Sequence, residues 1–103
     1  MAARMTSRRA RIPSGFQIMG HKVHVKRIPK TKWKAGKECS GFFDPSNMTI
    51  AICSGFGATT QEQTFWHEVT HAIFYCLASE EYDDEKHVDQ VGGLLHQIFT
   101  TME

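Results

Sequence analysis

The chain has few of the features that would place it in a membrane, in a secretory route or in a disulfide-bonded fold. No apolar run approaches the about 20 residues that cross a bilayer, and the basic N-terminus lacks the apolar segment of a secretory signal. The net charge of +1 makes no overall case for a nucleic-acid or membrane partner. Internal repeats and low-complexity segments are also missing. The 103 residues therefore predict one small soluble domain, which we expect in the cytoplasm.

Cysteine is scarce, and its pattern argues against a structural disulfide. The three cysteines are Cys39, Cys53 and Cys76, an odd number with no CxxC pair among them. We expect free thiols in a reducing compartment. A bridge between Cys39 and Cys53 across a hairpin is the geometric alternative.

The first 14 residues differ from the rest in composition. They are polar and basic, and Pro13, Ser14 and Gly15 end them. We expect a flexible basic arm over residues 1–14, followed by a single domain over residues 15–103. The arm is also a candidate for weak contact with nucleic acid or with a protein partner.

Period-two patterning predicts a small sheet in the first half of the domain. Residues 16–28 alternate in places, which predicts a half-buried strand. Two short apolar runs, residues 39–43 and 48–53, flank a turn-forming segment that begins at Asp44 and predict a β-hairpin.

Helical periodicity dominates the second half. A first helix is predicted over about residues 60–78, begun by a capping box of Thr59 with Glu62 or of Thr60 with Gln63. A second helix is predicted over about residues 83–101. The fold class is therefore α+β, with an antiparallel sheet of about three strands followed by two helices.

The first helix carries the motif HExxH, formed by His67, Glu68 and His71. Two histidines four residues apart lie about one turn apart on the same helix face, so both imidazoles can reach one metal ion. A glutamate directly after the first histidine can reach a water on the open side of that ion. The motif therefore predicts a Zn²⁺ site with His67 and His71 as ligands and Glu68 as general base.

A catalytic zinc normally takes three protein ligands, so a third is expected from the second helix. Glu85 is the first choice, because it lies three residues before Val88 on the apolar stripe and shares the inward face. His87 points about 160° away from Glu85 on the helix and is one alternative. Asp89, one turn further on, could bind the metal or instead orient a ligand histidine.

The residues of and around this motif resemble those of zincin metallopeptidases of the glutamate-ligand, gluzincin-like branch. The chain is also similar to small phage-type zinc peptidases and to the ImmA/IrrE and SprT-like groups. Three segments carry the resemblance: the hairpin of residues 41–52, the motif helix around residues 64–73, and residues 85–95 of the second helix. No HxxGxxH continuation follows the motif, which argues against the metzincin branch.

The resemblance implies a minimal zincin core that hydrolyses a peptide bond in a protein or peptide substrate. It implies zinc, bound by His67, His71 and Glu85, and an extended substrate along the sheet edge. Neither a tyrosine nor a histidine is obviously placed to stabilise an oxyanion, and Tyr75 and Tyr82 are candidates only. The alternative from another class is a non-catalytic zinc-stabilised module, of the phage-type host-interaction kind, that binds a protein.

Overall fold

The computed structural model describes residues 10–102 and shows an α+β fold with one sheet and two helices. Two short 3₁₀ helices, Lys30–Lys32 and Glu80–Asp83, lie in the connections. The strands are β1 (Gly15–Ile18), β2 (His21–Ile28), β3 (Gly41–Asp44) and β4 (Thr49–Cys53), and the helices are α1 (Ala58–Cys76) and α2 (Glu85–Thr101). The predicted class and the two helices are confirmed.

The sheet is larger than the predicted three strands, because the first apolar segment forms two strands. Met19 and Gly20 both have positive φ, 47° and 81°, which is the conformation of a tight two-residue hairpin turn. β1 and β2 therefore pair antiparallel across that turn, with Ile18 opposite His21. The sequence signal was weak because methionine rarely adopts this conformation.

The sheet is also mixed, where an antiparallel one was predicted. The strand order is β1-β2-β4-β3, and β2 pairs with β4 in parallel, with Val25 opposite Ile50. The predicted hairpin of β3 and β4 is confirmed. All five residues of β4 are buried, as expected for a central strand covered on both faces. This order leaves β3 at the edge of the sheet.

Helix α1 lies on one face of the sheet and closes the apolar core. Buried side chains from β2, β4 and α1 form the central cluster: Val23, Val25, Ile50, Ile52, Phe65 and Val69. Helix α2 packs against α1 and buries Val88 and Gly92. Helix α1 is therefore held between the sheet and α2, which fixes the residues of its central turns.

The start of α1 differs from the predicted capping box. The helix begins at Ala58 with Gly57 as N-cap, and no side chain caps it. Glu62 is turned inward instead, where it is buried and accepts a hydrogen bond from the backbone N–H of Arg11 at 2.8 Å. Its carboxylate is thus engaged in the interior and does not cap the helix.

Residues 1–9 of the predicted arm lie outside the described residues. The described end of that segment contacts the domain: Ile12 packs against the core, and the carbonyl of Ser14 accepts a hydrogen bond from the N–H of Val25 at 3.0 Å. The three cysteines are free thiols, as predicted. No helix within residues 10–102 has both the length and the hydropathy needed to cross a membrane.

Candidate metal centre

The HExxH motif lies in the middle of α1, at the level where α2 crosses it. The rings of His67 and His71 are 5.0 Å apart between centroids, as expected for residues one turn apart on one face. Both side chains are largely covered, with 23% and 12% of their surface exposed. Glu68, between them, is buried.

Glu85, in the first turn of α2, joins the two histidines. Its Oε1 lies 3.1 Å from Nε2 of His67, and its Oε2 lies 3.0 Å from Nε2 of His71. One carboxylate thus faces both imidazole nitrogens. The structure therefore brings together the three residues that the sequence predicted as ligands.

The three side chains fit a divalent metal ion such as zinc. One ligand atom from each of His67, His71 and Glu85 can be chosen so that all three lie within 4.8 Å of one another. Donors about 2.0 Å from a tetrahedral zinc are about 3.3 Å apart, close to the nitrogen–oxygen distances observed here. Two imidazoles and one carboxylate also match the His₂Glu ligand set of catalytic zinc sites, which leaves one position open.

The backbone carbonyl of Tyr82 fixes the orientation of the His71 ring. Its oxygen lies 2.9 Å from Nδ1 of His71, and since a carbonyl only accepts, Nδ1 must donate. In the neutral ring, the lone pair is then on Nε2, the nitrogen that faces Glu85. A ligand histidine that donates its second N–H to a carbonyl is the usual arrangement around a bound metal.

Asp89 occupies the corresponding place beside His67. Its Oδ1 lies 3.5 Å from Nδ1 of His67, on the side of the ring away from Glu85. This position matches the orienting role that the sequence left open for Asp89. The side chain is 82% exposed, so its hold on the ring is weaker than that of the carbonyl on His71.

His87, the other alternative ligand, faces away from the site. Its Nε2 lies 3.1 Å from Oε2 of Glu81, and its ring stacks on Phe74 at 5.6 Å. These contacts join the start of α2 to the 3₁₀ helix Glu80–Asp83, which carries the carbonyl of Tyr82.

Burial gives Glu68 an unusual pKa. The pKa of its carboxyl is raised from 4.5 to about 7, chiefly because burial removes it from water; interaction with His67 lowers the pKa, and interaction with Glu85 raises it. A carboxylate with a pKa near neutrality both accepts and returns a proton easily at physiological pH.

The site opens on a cleft of ≈ 690 Å³ between α1, the start of α2 and the edge strand β3. Gly41, Phe42 and Phe43 of β3 line one wall, and His67, Glu68, His71 and Glu85 line the floor. An edge strand offers unpaired backbone groups to an extended peptide.

The two tyrosines named from the sequence differ in position. Tyr82 lines the cleft, and its pKa is raised by burial and by the charge of Asp83, so its hydroxyl stays a donor at neutral pH. Tyr75 is not among the lining residues and packs on Phe43, with ring centroids 5.9 Å apart.

Gly92 allows the close approach of the two helices. A Cβ at this position would lie 2.9 Å from Cα of His67 and 3.2 Å from the carbonyl oxygen of Trp66, both backbone atoms that cannot move aside. A Cβ at the neighbouring Gly93 would meet nothing within 4 Å. Gly92 therefore sets the helix separation at the level of the first histidine.

Two contributions to the site had no signal in the sequence. The carbonyl of Tyr82 is a backbone group that any residue would supply, so no side-chain pattern reveals it. The hydroxyls of Ser40 and Thr64, 2.7 Å apart, join the chain before β3 to α1 at the cleft and involve residues far apart in sequence.

No protein-family model, curated protein or solved structure matches the chain.

Proposed function

We propose that the protein is a zinc-dependent metallopeptidase that hydrolyses a peptide bond in a protein or peptide substrate. One observation carries the proposal. A ligand set of His67, His71 and Glu85 lies beside a buried Glu68 at the floor of a cleft with a free strand edge. The zincin-like pattern of the motif and of the helix order supports the same conclusion.

Each residue has a defined task in this reaction. Zinc, when bound, polarises the scissile carbonyl and lowers the pKa of the attacking water. Glu68 accepts the proton of that water and delivers it to the leaving nitrogen. Asp89 and the carbonyl of Tyr82 keep the two imidazoles in the orientation that presents Nε2. Tyr82 lines the cleft, and its hydroxyl is a candidate donor to a developing oxyanion.

The same ligand set would also serve a zinc-stabilised module that binds a protein without cleaving it. The position of Glu68 favours the enzyme, because a structural site has no need of a further buried carboxyl beside its three ligands. The free thiols suit a reducing compartment, so we place the protein in the cytoplasm. The resemblance of its motif segments supports a peptidase of the phage type.

The test compares the wild type with Glu68→Gln, both loaded with zinc, on a peptide library derived from a digested proteome. Mass spectrometry should detect new termini with the wild type only, with turnover reduced by about 10²- to 10⁴-fold in the variant. Metal content and the unfolding midpoint should be similar in both proteins, which excludes a folding defect. Cleavage at equal rates by both proteins would contradict the role of Glu68, and no cleavage by the zinc-loaded wild type would favour the binding module.

A further inference from the structure

The charges of this chain are separated almost completely along the sequence. Eleven of the twelve lysines and arginines lie in residues 1–37, and all eleven aspartates and glutamates lie in residues 38–103. The exception is Lys86. The near-zero net charge therefore hides one strongly basic and one strongly acidic part, a pattern typical of chains that bind a polyanion.

The fold places part of the basic segment on the side of the sheet opposite α1. In β2, Val23 and Val25 are buried beneath α1, so Lys22, His24 and Lys26 face the opposite side. The acidic groups around the metal centre, by contrast, lie on the helical side of the sheet. These lysines and the acidic groups of the metal centre thus lie on opposite sides of the sheet.

A second cavity, of ≈ 570 Å³, lies where the β2–β3 connection folds over this face. Its lining includes three lysines and two aromatic rings: Lys30, Lys34, Lys37, Trp33 and Phe56. We call it the lysine cavity. Its volume is within the about 300–1,000 Å³ of ligand-binding pockets.

Trp33 is held firmly within the wall of the lysine cavity. Its Nε1–H donates to the carbonyl of Cys39 at 2.8 Å and is 3.2 Å from the carbonyl of Gly36. Its ring packs on Phe42, with centroids 5.7 Å apart and planes tilted by 33°. An aromatic ring fixed in this way loses little conformational freedom when a planar ligand stacks on it.

The lysines of the cavity have no anionic partner among the residues that the structure describes. Within residues 10–102, neither Lys30 nor Lys34 nor Lys37 forms an ion pair, and all three are exposed. They follow one another at short intervals on both sides of Trp33 in the sequence. Three unpaired cations around a fixed aromatic ring form a site for a planar group flanked by negative charges.

We propose that the lysine cavity binds single-stranded nucleic acid, with a base stacked on Trp33 and the neighbouring phosphates on Lys30, Lys34 and Lys37. Single-strand binding combines these two elements: aromatic platforms, which contribute about 1–3 kcal/mol per base, and a basic groove for the backbone. Unstacked bases are accessible only in a single strand, and a concave cavity on a sheet cannot enter a duplex groove as a helix does. The residues named here are distinct in sequence from the predicted arm, and the proposal does not depend on the metal centre.

The test measures binding of a fluorescent oligothymidine of about 16 nucleotides, the upper end of the usual site size, to the full chain. The wild type should bind, and log K should fall with log salt with a slope of about −2, as expected for three phosphate contacts on a single strand. A triple variant, Lys30→Gln, Lys34→Gln and Lys37→Gln, should bind at least about tenfold more weakly and lose most of that slope. The matched control Lys86→Gln should bind as the wild type does.

A second readout follows Trp33 directly. In a Trp66→Phe background, Trp33 is the only tryptophan, and its fluorescence should be quenched on titration with the unlabelled oligonucleotide. A Trp33→Leu variant removes the platform, and it should bind at least about fivefold more weakly. Its unfolding midpoint, measured in parallel, separates lost stacking from lost folding.

Three results would overturn the proposal. The first is full binding by the triple variant together with loss of binding when residues 1–9 are deleted, which would assign the contact to the arm. The second is equal or tighter binding of a duplex of the same length. The third is binding of heparin without binding of the oligonucleotide, which would show a general anion surface and no stacking site.

Discussion

The two helices hold the candidate metal centre in different ways. The residues of α1 are covered: Glu68 is 6% exposed, and the side chains of His67 and His71 are 23% and 12% exposed. The carboxylates of α2 are open to solvent, with Glu85 68% exposed. The histidines and the base are thus positioned by the core, whereas the carboxylates depend on how closely α2 packs.

The difference has a functional consequence. A buried base keeps its raised pKa because water cannot solvate its charged form. An exposed third ligand lets a metal ion enter and leave without unfolding of the core. We therefore expect substitutions of the site residues on α1 to abolish function, and substitutions of the site residues on α2 to reduce it by smaller amounts.

The largest effect is expected from His71→Ala. This substitution removes a largely covered ligand that α1 carries. Loss of a residue that only orients a ligand lowers metal affinity by up to about 100-fold, so loss of the ligand itself should lower zinc affinity by well over that amount. Competition with a chromogenic chelator measures the affinity. His24→Ala is the matched control, because His24 is exposed on the side of the sheet away from α1 and should leave zinc binding unchanged. Equal losses in the two variants would contradict the ligand assignment.

The buried carboxyl of Glu68 should make the free energy of unfolding depend on pH. In the metal-free protein, the pKa of Glu68 is 4.5 unfolded and about 7 folded. Its stabilising contribution is therefore complete below pH 4.5 and is lost as pH rises through about 7, by at most about 3 kcal/mol. Urea unfolding in a chelator, from about pH 5 to about pH 8, should show Glu68→Gln gaining stability relative to the wild type.

A substitution of an exposed carboxylate on α2 provides the control for this prediction. Glu85→Gln should keep most of the pH dependence, because burial and not the charge of Glu85 is the main cause of the raised pKa. A bound dication should also reduce the effect, since positive charge favours the ionised carboxylate. Parallel curves for the wild type and Glu68→Gln would show that Glu68 is not buried as described.

A smaller effect is expected where the two helices touch. Gly92→Ala forces a Cβ against the backbone of His67 and should destabilise the protein by about 2 kcal/mol and weaken zinc binding, as α2 moves away. Gly93→Ala is open to solvent and should be neutral or stabilising by up to about 1 kcal/mol, because alanine favours the helix. Chemical unfolding measures both. A stabilised Gly92→Ala variant would refute the close approach.

The smallest effect is expected from Asp89→Asn. The carboxylate lies 3.5 Å from Nδ1 of His67 and is exposed, so zinc affinity should fall by only about tenfold, the low end for an orienting partner. Glu80→Gln, an equal change of charge within the acidic segment, should have no such effect. A loss as large as that of His71→Ala would make Asp89 a ligand.

The sequence predicted most of the part of the site that α1 carries, because the geometry of that part depends on local spacing. Two histidines and a glutamate within one turn of a helix define their own geometry. The phase of the second helix also selected Glu85 before the structure did, because position on a helix follows from its period. The role of Asp89 stayed open, since spacing alone cannot distinguish a residue that binds the metal from one that orients a ligand histidine.

The remaining features depend on contacts between distant residues or on unusual backbone conformations. The parallel pairing of β2 with β4 joins strands that are separated in sequence by the β2–β3 connection and by β3, so local patterning does not reveal it. Helix α1 ends at Cys76, earlier than predicted, because Ala78 adopts a left-handed conformation, φ 54°, which glycine usually supplies. The position of the Tyr82 carbonyl, and that of the β2 lysines on the side of the sheet opposite the metal centre, likewise appear only in the folded chain.

The central claim is that His67, His71 and Glu85 hold one metal ion beside a base that does not bind it. Zinc content per chain, measured by mass spectrometry of the native protein, tests it most directly on the wild type, Glu68→Gln, Glu85→Ala and His71→Ala. We expect one zinc in the wild type and in Glu68→Gln, partial occupancy in Glu85→Ala and none in His71→Ala. A wild type without zinc, or a Glu68→Gln variant that loses it, would show that these residues do not form the proposed site.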